Sequence, residues 1–232
     1  PFTATDEQQV SEETACLQAW AKAAQDYLCR FTYISSDAVF TGPWMFHEED
    51  CQGMCESPEA ELVRAIEREV SLCNNTLIIR TNVFGWTPAA YGTGQVEQLV
   101  QSLQDGSYSD LDCYRHGTPL LATDLAAIIE HAYQERLTGT FHVAGGERIS
   151  PLEFVQRLAK QFELTVPLLP RATVMNERAT GFANGETSLH TRKIRRALSI
   201  SMPMLDDGLQ RLFDQQTNGY LNRLNNEPVR YY

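Results

Sequence analysis

Two apolar segments with a helix between them constrain the fold of this chain most strongly. Residues 76–81 read T-L-I-I-R-T, an almost continuous apolar run that favours a strand buried on both faces, as in a parallel sheet. Residues 31–35 form a second β-rich run. Residues 11–29 carry apolar side chains near the helical period, and residues 58–72 follow a capping serine, Ser57. The order helix, strand, helix, strand predicts an α/β fold with a doubly wound parallel sheet.

The rest of the chain predicts smaller elements. We expect helices at 95–104, 123–135, 190–198 and 205–215, a strand at 140–143, and a helix that begins at Pro151, with Ser150 as its cap and Glu153 closing a capping box. Two prolines precede a loop over 171–187.

These elements suggest three regions. We expect residues 1–88 to form a partial domain of the Rossmann-like, nucleotide-binding type, and residues 89–218 to form a smaller mixed α/β region on the substrate side, interleaved with the first. Residues 219–232 form a polar tail that is either solvated or used in a subunit contact, so a homodimer is possible.

Composition excludes several classes of protein. The 232-residue chain has a net charge of −11, which argues against a broad nucleic-acid surface. It contains neither an apolar run of about 20 residues nor a basic-then-apolar leader at its start, so we expect no membrane span and a cytoplasmic protein.

The six cysteines lie at irregular spacings. Cys51 and Cys55 flank three residues, but no second pair lies nearby at zinc-site spacing, so we predict no metal site. We interpret the cysteines as free thiols, mostly buried, in a reducing compartment; a metal or redox role is the alternative.

The strand end at residues 33–42, Y-I-S-S-D-A-V-F-T-G, is the first recognisable motif. It resembles a motif of the dTDP-4-dehydrorhamnose reductase family, a branch of the extended short-chain dehydrogenase/reductases. Further stretches resemble that family's motifs in order and spacing: residues 3–7, 48–50, 79–85, 117–126, 141–150 and 187–193. The resemblance runs from residue 1 to about residue 215.

This resemblance implies a Rossmann-like sheet, a nicotinamide cofactor (NADP or NAD) and a nucleotide sugar with a 4-keto group as substrate. In that family a glycine-rich loop and three strands come before the first matched motif. No such loop occurs in the printed sequence, and Gly92 and Gly94 are a weak substitute. Either the segment precedes the printed chain or the protein holds the cofactor differently, and we favour the first.

The resemblance also assigns candidate site residues. Ser36 is the candidate catalytic hydroxyl that polarises the carbonyl, although a serine there can also end a strand by bonding to local backbone. Asp37 either orients a ligand or caps the loop. The remaining candidates are Ser35 and Asn82 for the cofactor, and Val83, Trp86 and Thr118, with Asp37, for the substrate.

The family's catalytic Tyr/Lys pair is absent. The tyrosine should fall near Glu59 and the lysine near Val63, but no tyrosine lies between Tyr33 and Tyr91, and the nearest lysines are Lys22 and Lys160. Arginine stays protonated and cannot replace the acid. A thiol, Cys51 or Cys55, is a possible replacement, although a buried structural cysteine is the simpler interpretation.

Three hypotheses follow. The chain is a nucleotide-sugar reductase with an unidentified proton donor, or a catalytically silent relative that binds a nucleotide or a partner protein as a regulatory or scaffold subunit. A third class is an altered enzyme, such as an epimerase, in which another residue handles protons. Measured turnover with NADPH separates the first hypothesis from the second.

Overall fold

The computed structural model describes residues 7–107, 115–165, 183 and 185–226. Within these ranges the helices are α1 Glu7–Asp26, α2 Pro58–Ser71, α3 Gln95–Asp105, α4 Ala122–Gln134, α5 Pro151–Gln161, α6 Arg192–Leu198, α7 Leu205–Asp214 and α8 Tyr220–Asn226. The strands are β1 Phe31–Ser36, β2 Thr76–Thr81, β3 Val83–Phe84, β4 Leu120–Leu121 and β5 Gly139–His142. Short 3₁₀ turns occupy Asp37–Val39 and Ala89–Tyr91.

The described sheet that contains β2 is parallel, in the order β1-β2-β5. Phe31 lies opposite Thr76, and Ser36 lies opposite Thr81, so β1 and β2 end at the same level. Every residue of β2 is buried. The continuous apolar run therefore does form a strand covered on both faces.

Helices cover one face of this sheet through a compact apolar cluster. Ile78 of β2 and Tyr33 of β1 pack with Ile66 and Val70 of α2 and with Ala21 of α1. All five are at most 6% exposed. Side chains alternate between the faces of a strand, so the neighbours of Ile78 point the other way.

The opposite face is covered by helices from later in the chain. Leu77 and Ile79 of β2 pack with Leu125 and Ile128 of α4 and with Ile194 of α6. With α1 and α2 on one face and α4 and α6 on the other, the fold is the predicted doubly wound α/β arrangement.

A second core lies among α3, α5 and α7. Val100, Leu158 and Leu209 belong to its buried cluster. The predicted capping box is confirmed: the Glu153 amide donates to Ser150 Oγ at 3.2 Å, and the Ser150 amide donates to the Glu153 carboxylate at 2.9 Å.

Two features differ from the sequence prediction. The parallel pair β3–β4 was not predicted, because two-residue strands are too short to show a period. The polar tail contains a short helix, α8. Three parts of the sequence prediction lie outside the described residues: the end of the tail at 227–232, residues 3–6 of the matched stretch 3–7, and most of the predicted loop over 171–187. No helix in the described ranges is long and apolar enough to cross a bilayer.

Candidate functional site

A cavity of about 740 Å³ opens at the carboxyl ends of β1 and β2. Ser36 and Asn82 line it from the sheet, and Leu99 and Phe154 line it from the second core. In doubly wound folds ligands bind outside the carboxyl ends of the strands, so this is the expected place for a site. The cavity has a polar side formed by the strand ends and an apolar side formed by helices.

Ser36 ends β1 and faces the cavity. Its Oγ accepts the Ala38 amide at 3.1 Å and so caps the 3₁₀ turn. The local-backbone role weighed for this serine is therefore present in the structure. Ser36 is half-buried and still lines the cavity, so the capping bond does not remove the residue from the site.

Asp37 is a buried carboxyl group at the cavity, with 6% of its surface exposed. Its Oδ2 accepts the Asn82 side-chain amide at 2.8 Å and the Thr187 hydroxyl at 2.6 Å. Burial raises the pKa of Asp37 from 3.8 to about 6, although these hydrogen bonds favour the charged form. The group can therefore hold or release a proton near neutral pH.

The network around Asp37 joins three parts of the chain. Asp37 follows β1, Asn82 follows β2, and Thr187 comes from the segment before α6. Gly117 packs against the network so closely that a Cβ there would lie 2.5 Å from Asn82 Nδ2. Sequence reasoning did not single out Thr187 or Gly117 as site residues, although both lie in matched stretches.

Thr81 is a second residue that sequence reasoning did not assign. It is the last residue of β2, it lines the cavity, and it is 5% exposed. Its hydroxyl has no hydrogen-bond partner among the described residues. A buried hydroxyl without a partner is costly, so Thr81 is a candidate contact for a molecule in the cavity.

Ser35, predicted to contact a cofactor, also lines the cavity, but its hydroxyl is engaged elsewhere. It donates to Glu67 at 2.6 Å. Glu67 forms a buried ion pair with Arg80 at 2.7 Å, and the Arg80 guanidinium lies 5.0 Å from the Phe40 ring centroid. This cluster fixes the end of β1 to α2, and the cofactor role of Ser35 stays a prediction.

Of the predicted substrate residues, the structure brings Asp37 and Val83 to the cavity but not Trp86 or Thr118. Trp86 Nε1 donates to the Leu212 carbonyl at 3.0 Å, and its ring packs in the second core. Thr118 is fully buried, and its Oγ1 accepts the Leu189 amide at 3.1 Å. Both side chains are used in packing.

The position expected for the family's lysine lies at the cavity wall, but it is apolar. Val63 is fully buried, lines the cavity and packs with Val39 and Phe40. Glu59, where the tyrosine is expected, is an exposed residue in the first turn of α2. In the described part of the chain, no group of histidine, cysteine and acidic residues is arranged to hold a metal ion.

Solved structures resemble this fold closely. The dTDP-4-dehydrorhamnose reductase from Bacillus anthracis, solved with NADP, aligns with a TM-score of 0.77 and 22% identity over 92% of this chain and 78% of that one. The reductase ortholog from Clostridium acetobutylicum gives a TM-score of 0.76 and 20% identity over the same shares. The dTDP-glucose 4,6-dehydratase from Bacillus anthracis gives 0.65 and 15% identity over 91% of this chain and 69% of that one.

No curated relative matches the sequence. At these identities the solved structures establish the fold alone. The family follows from the sequence itself: residues 4–218, nearly the whole chain, match the family described as the RmlD substrate binding domain, and the chain belongs to that family.

Proposed function

We propose that this chain is a reductase-type nucleotide-sugar-binding protein whose ligand occupies the cavity at the ends of β1 and β2. The observation that carries the proposal is the polar wall of that cavity, which is lined both by a buried carboxyl, Asp37, and by Thr81, whose buried hydroxyl has no partner among the described residues. A buried polar group is costly unless it is hydrogen-bonded, and the Thr81 hydroxyl has no partner among the described residues, so a ligand in the cavity is its candidate partner. Family membership supports a nucleotide sugar as that ligand.

The cavity's apolar side suits the flat or hydrophobic parts of such a ligand. Leu99, Phe154 and Val155 line it from the second core, and Arg115 and Gln98 add polar groups at the same side. Ligand sites typically combine apolar walls with a few placed polar groups, and the volume of about 740 Å³ lies in the usual range for small-molecule sites.

A nicotinamide cofactor is part of the proposal, with NAD and NADP both admitted. Solved relatives carry either NADP or NAD. Asn82, which lines the cavity, offers a side-chain amide that suits the polar nicotinamide end. When bound, the cofactor supplies the hydride.

The chain's own residues would act on the carbonyl oxygen. Reduction places negative charge on that oxygen, so the site needs a hydrogen-bond donor and an acid. We assign the donor role to the Ser36 hydroxyl. We assign the acid role to Asp37, because its pKa of about 6 leaves a useful fraction protonated near neutral pH. Its Oδ2 already accepts two bonds, whereas Oδ1 has only a 3.5 Å contact with Ser36 Oγ, so Oδ1 is the oxygen that carries the proton.

Turnover tests this assignment. The chain, mixed with a dTDP-linked 4-keto sugar and NADPH or NADH, should consume reduced cofactor. Asp37→Asn should lower kcat by about 100-fold or more while binding persists, as expected when a general acid is removed. Equal turnover in wild type and Asp37→Asn would refute the acid role.

A second candidate function is binding without catalysis. The observation that favours it is the apolar wall at Val63, where the family's lysine is expected. Calorimetric binding of the nucleotide sugar with no consumption of NADPH or NADH would select this function. No binding at all would exclude both candidates.

A further inference from the structure

Outside the cavity, a thiol and an imidazole meet in the loop between the first 3₁₀ turn and α2. His47 and Cys51 are four residues apart, and the Cys51 amide donates to the Glu48 carbonyl at 3.0 Å, which closes a turn. This turn brings the Cys51 sulfur to 3.2 Å from His47 Nδ1. The contact is within hydrogen-bond range for sulfur.

The hydrogen-bond partner of His47 Nε2 shows which of the two ring nitrogens carries the hydrogen. His47 Nε2 lies 2.9 Å from the carbonyl oxygen of Glu186. A carbonyl oxygen only accepts, so Nε2 carries the hydrogen. Burial lowers the pKa of His47, which keeps the imidazole neutral. Nδ1 therefore has a free lone pair, and the Cys51 S–H is the donor to it.

The ring is fixed in this orientation. It stacks on Phe40 with a centroid distance of 4.6 Å and an interplanar angle of 5°. Its backbone amide donates to the Ser188 carbonyl at 2.8 Å, and its own carbonyl lies 3.0 Å from His142 Nδ1. His47 is 1% exposed, and the stacking on Phe40 together with these backbone hydrogen bonds keeps Nδ1 directed at the sulfur.

The sulfur has a second polar neighbour, and Cys51 is partly exposed. The Gly53 amide donates to Cys51 Sγ at 3.3 Å, which favours negative charge on the sulfur. The thiol is half-buried rather than enclosed. A nucleophile next to a base, with a third group orienting the base, is the arrangement that activates thiols in proteins.

We propose that Cys51 is a nucleophilic modification site for small electrophiles, peroxides above all, with His47 as its base. As the sulfur attacks one peroxide oxygen, an S–O bond forms, the O–O bond breaks and the thiol proton passes to His47 Nδ1. The leaving hydroxide takes that proton and becomes water. The sulfur is oxidised to a sulfenic acid, and the peroxide is reduced.

Packing around Cys51 links this modification to the cavity. Cys51 packs against the buried cluster that contains Val39, Phe40 and Val63. Val63 also lines the cavity. A group added to the sulfur therefore lies against the same buried cluster that lines the ligand site through Val63.

Competitive alkylation tests the proposal on the unmodified protein. Iodoacetamide is added below stoichiometry near neutral pH, and peptide mapping gives the rate at each cysteine. Cys73 is the matched control because it is also half-buried, and Cys16 and Cys29 are exposed. Exposure alone predicts that Cys16 and Cys29 react first. The proposal predicts that Cys51 reacts about tenfold faster than Cys73 and faster than both exposed thiols; a rate at or below that of Cys73 would overturn it.

His47→Gln isolates the base. Glutamine keeps a side-chain amide for the Glu186 carbonyl but has no basic nitrogen. The Cys51 rate should fall to that of Cys73, while the rates at Cys16 and Cys29 stay unchanged. An undiminished Cys51 rate in a folded variant would refute the role of His47.

A second measurement does not depend on that variant folding. Wild-type protein treated with hydrogen peroxide and a sulfenic-acid trap should carry the adduct on the Cys51 peptide before the Cys73 peptide. An adduct that appears first on Cys73, or on Cys73 alone, would contradict the proposal.

Discussion

Replacing Asp37 by asparagine tests whether this chain keeps a buried carboxylate at a cost in stability. The pKa of Asp37 is about 6 in the folded protein and 3.8 when unperturbed. Between these values the folded state binds more protons than the unfolded state, so this group's contribution to stability falls as pH rises through this window. The pKa difference corresponds to about 3 kcal/mol of destabilisation once the group is fully charged.

Asparagine can preserve the geometry while removing the charge. Its Oδ1 can take the place of the oxygen that accepts from Asn82 and Thr187, and its amide then faces Ser36. We therefore expect Asp37→Asn to raise the free energy of unfolding by about 3 kcal/mol near pH 8 and by only about 1 kcal/mol near pH 4.5.

Urea unfolding at the two pH values, followed by circular dichroism, measures both differences. Asp26→Asn is the control, since Asp26 is exposed and its replacement removes no buried charge. A variant that is destabilised near pH 8, or stabilised equally at both pH values, would refute the reasoning. The hydrogen bonds of Asp37 would then outweigh its burial.

Three further predictions concern other parts of the structure. Burial lowers the pKa of His142 to about 3, so the free energy of unfolding of the wild type should decrease as the pH is lowered from about 6.5 to about 3. His142→Phe should reduce the slope of this urea-derived profile by up to about 1.4 kcal/mol per pH unit, and an unchanged slope would contradict this. Glu67→Gln leaves Arg80 buried without its charged partner and should cost about 3–5 kcal/mol in urea unfolding, whereas Glu61→Gln, at the exposed carboxylate of the Arg64 pair, should cost less than about 1 kcal/mol; equal losses would show that burial does not matter. Gly117→Ala forces a Cβ against the neighbouring amide and should cost about 1–3 kcal/mol and weaken ligand binding in calorimetry; a variant that matches wild type in both would remove Gly117 from the site.

The sequence predicted the sheet because its central strand is buried on both faces. The run of residues 76–81 is nearly continuous in apolar side chains, which fits a strand covered on both faces better than a half-exposed one. The short pair β3–β4 could not be predicted, since two residues show no period. The starts of α2 and α5 were predicted correctly because Ser57 and Ser150 both cap through their side chains.

The site could be predicted only where strand position determines it. Ser36 ends β1, and Asp37 and Asn82 directly follow β1 and β2, so the ends of these strands place all three residues at the cavity. Thr187 reaches the same network from 150 residues away in sequence, in a segment without periodicity, and local patterns carry no such information. Trp86 lies near a strand end too, but its ring turns into the second core, a direction that spacing cannot show.

The departure from the family's catalytic pair is also clearer in the structure. Sequence alone shows that lysine and tyrosine are missing. The structure adds that Val63, at the lysine position, lines the same cavity as the ionisable carboxyl of Asp37. The residue at the lysine position and the proposed replacement acid, Asp37, therefore line the same cavity, as the proposed acid role requires.

Two threonines on β2 offer the most direct test of the central claim that this cavity binds a nucleotide sugar. Thr76 and Thr81 are both 5% exposed, and neither hydroxyl has a partner among the described residues, but Thr81 lines the cavity and Thr76 does not. Valine has the same shape without the hydroxyl, so neither Thr76→Val nor Thr81→Val should destabilise the fold. Calorimetric titration with a dTDP-sugar should give a Kd that is about three- to tenfold weaker for Thr81→Val and unchanged for Thr76→Val. Equal affinities in the two variants, or no binding by the wild type, would contradict the account.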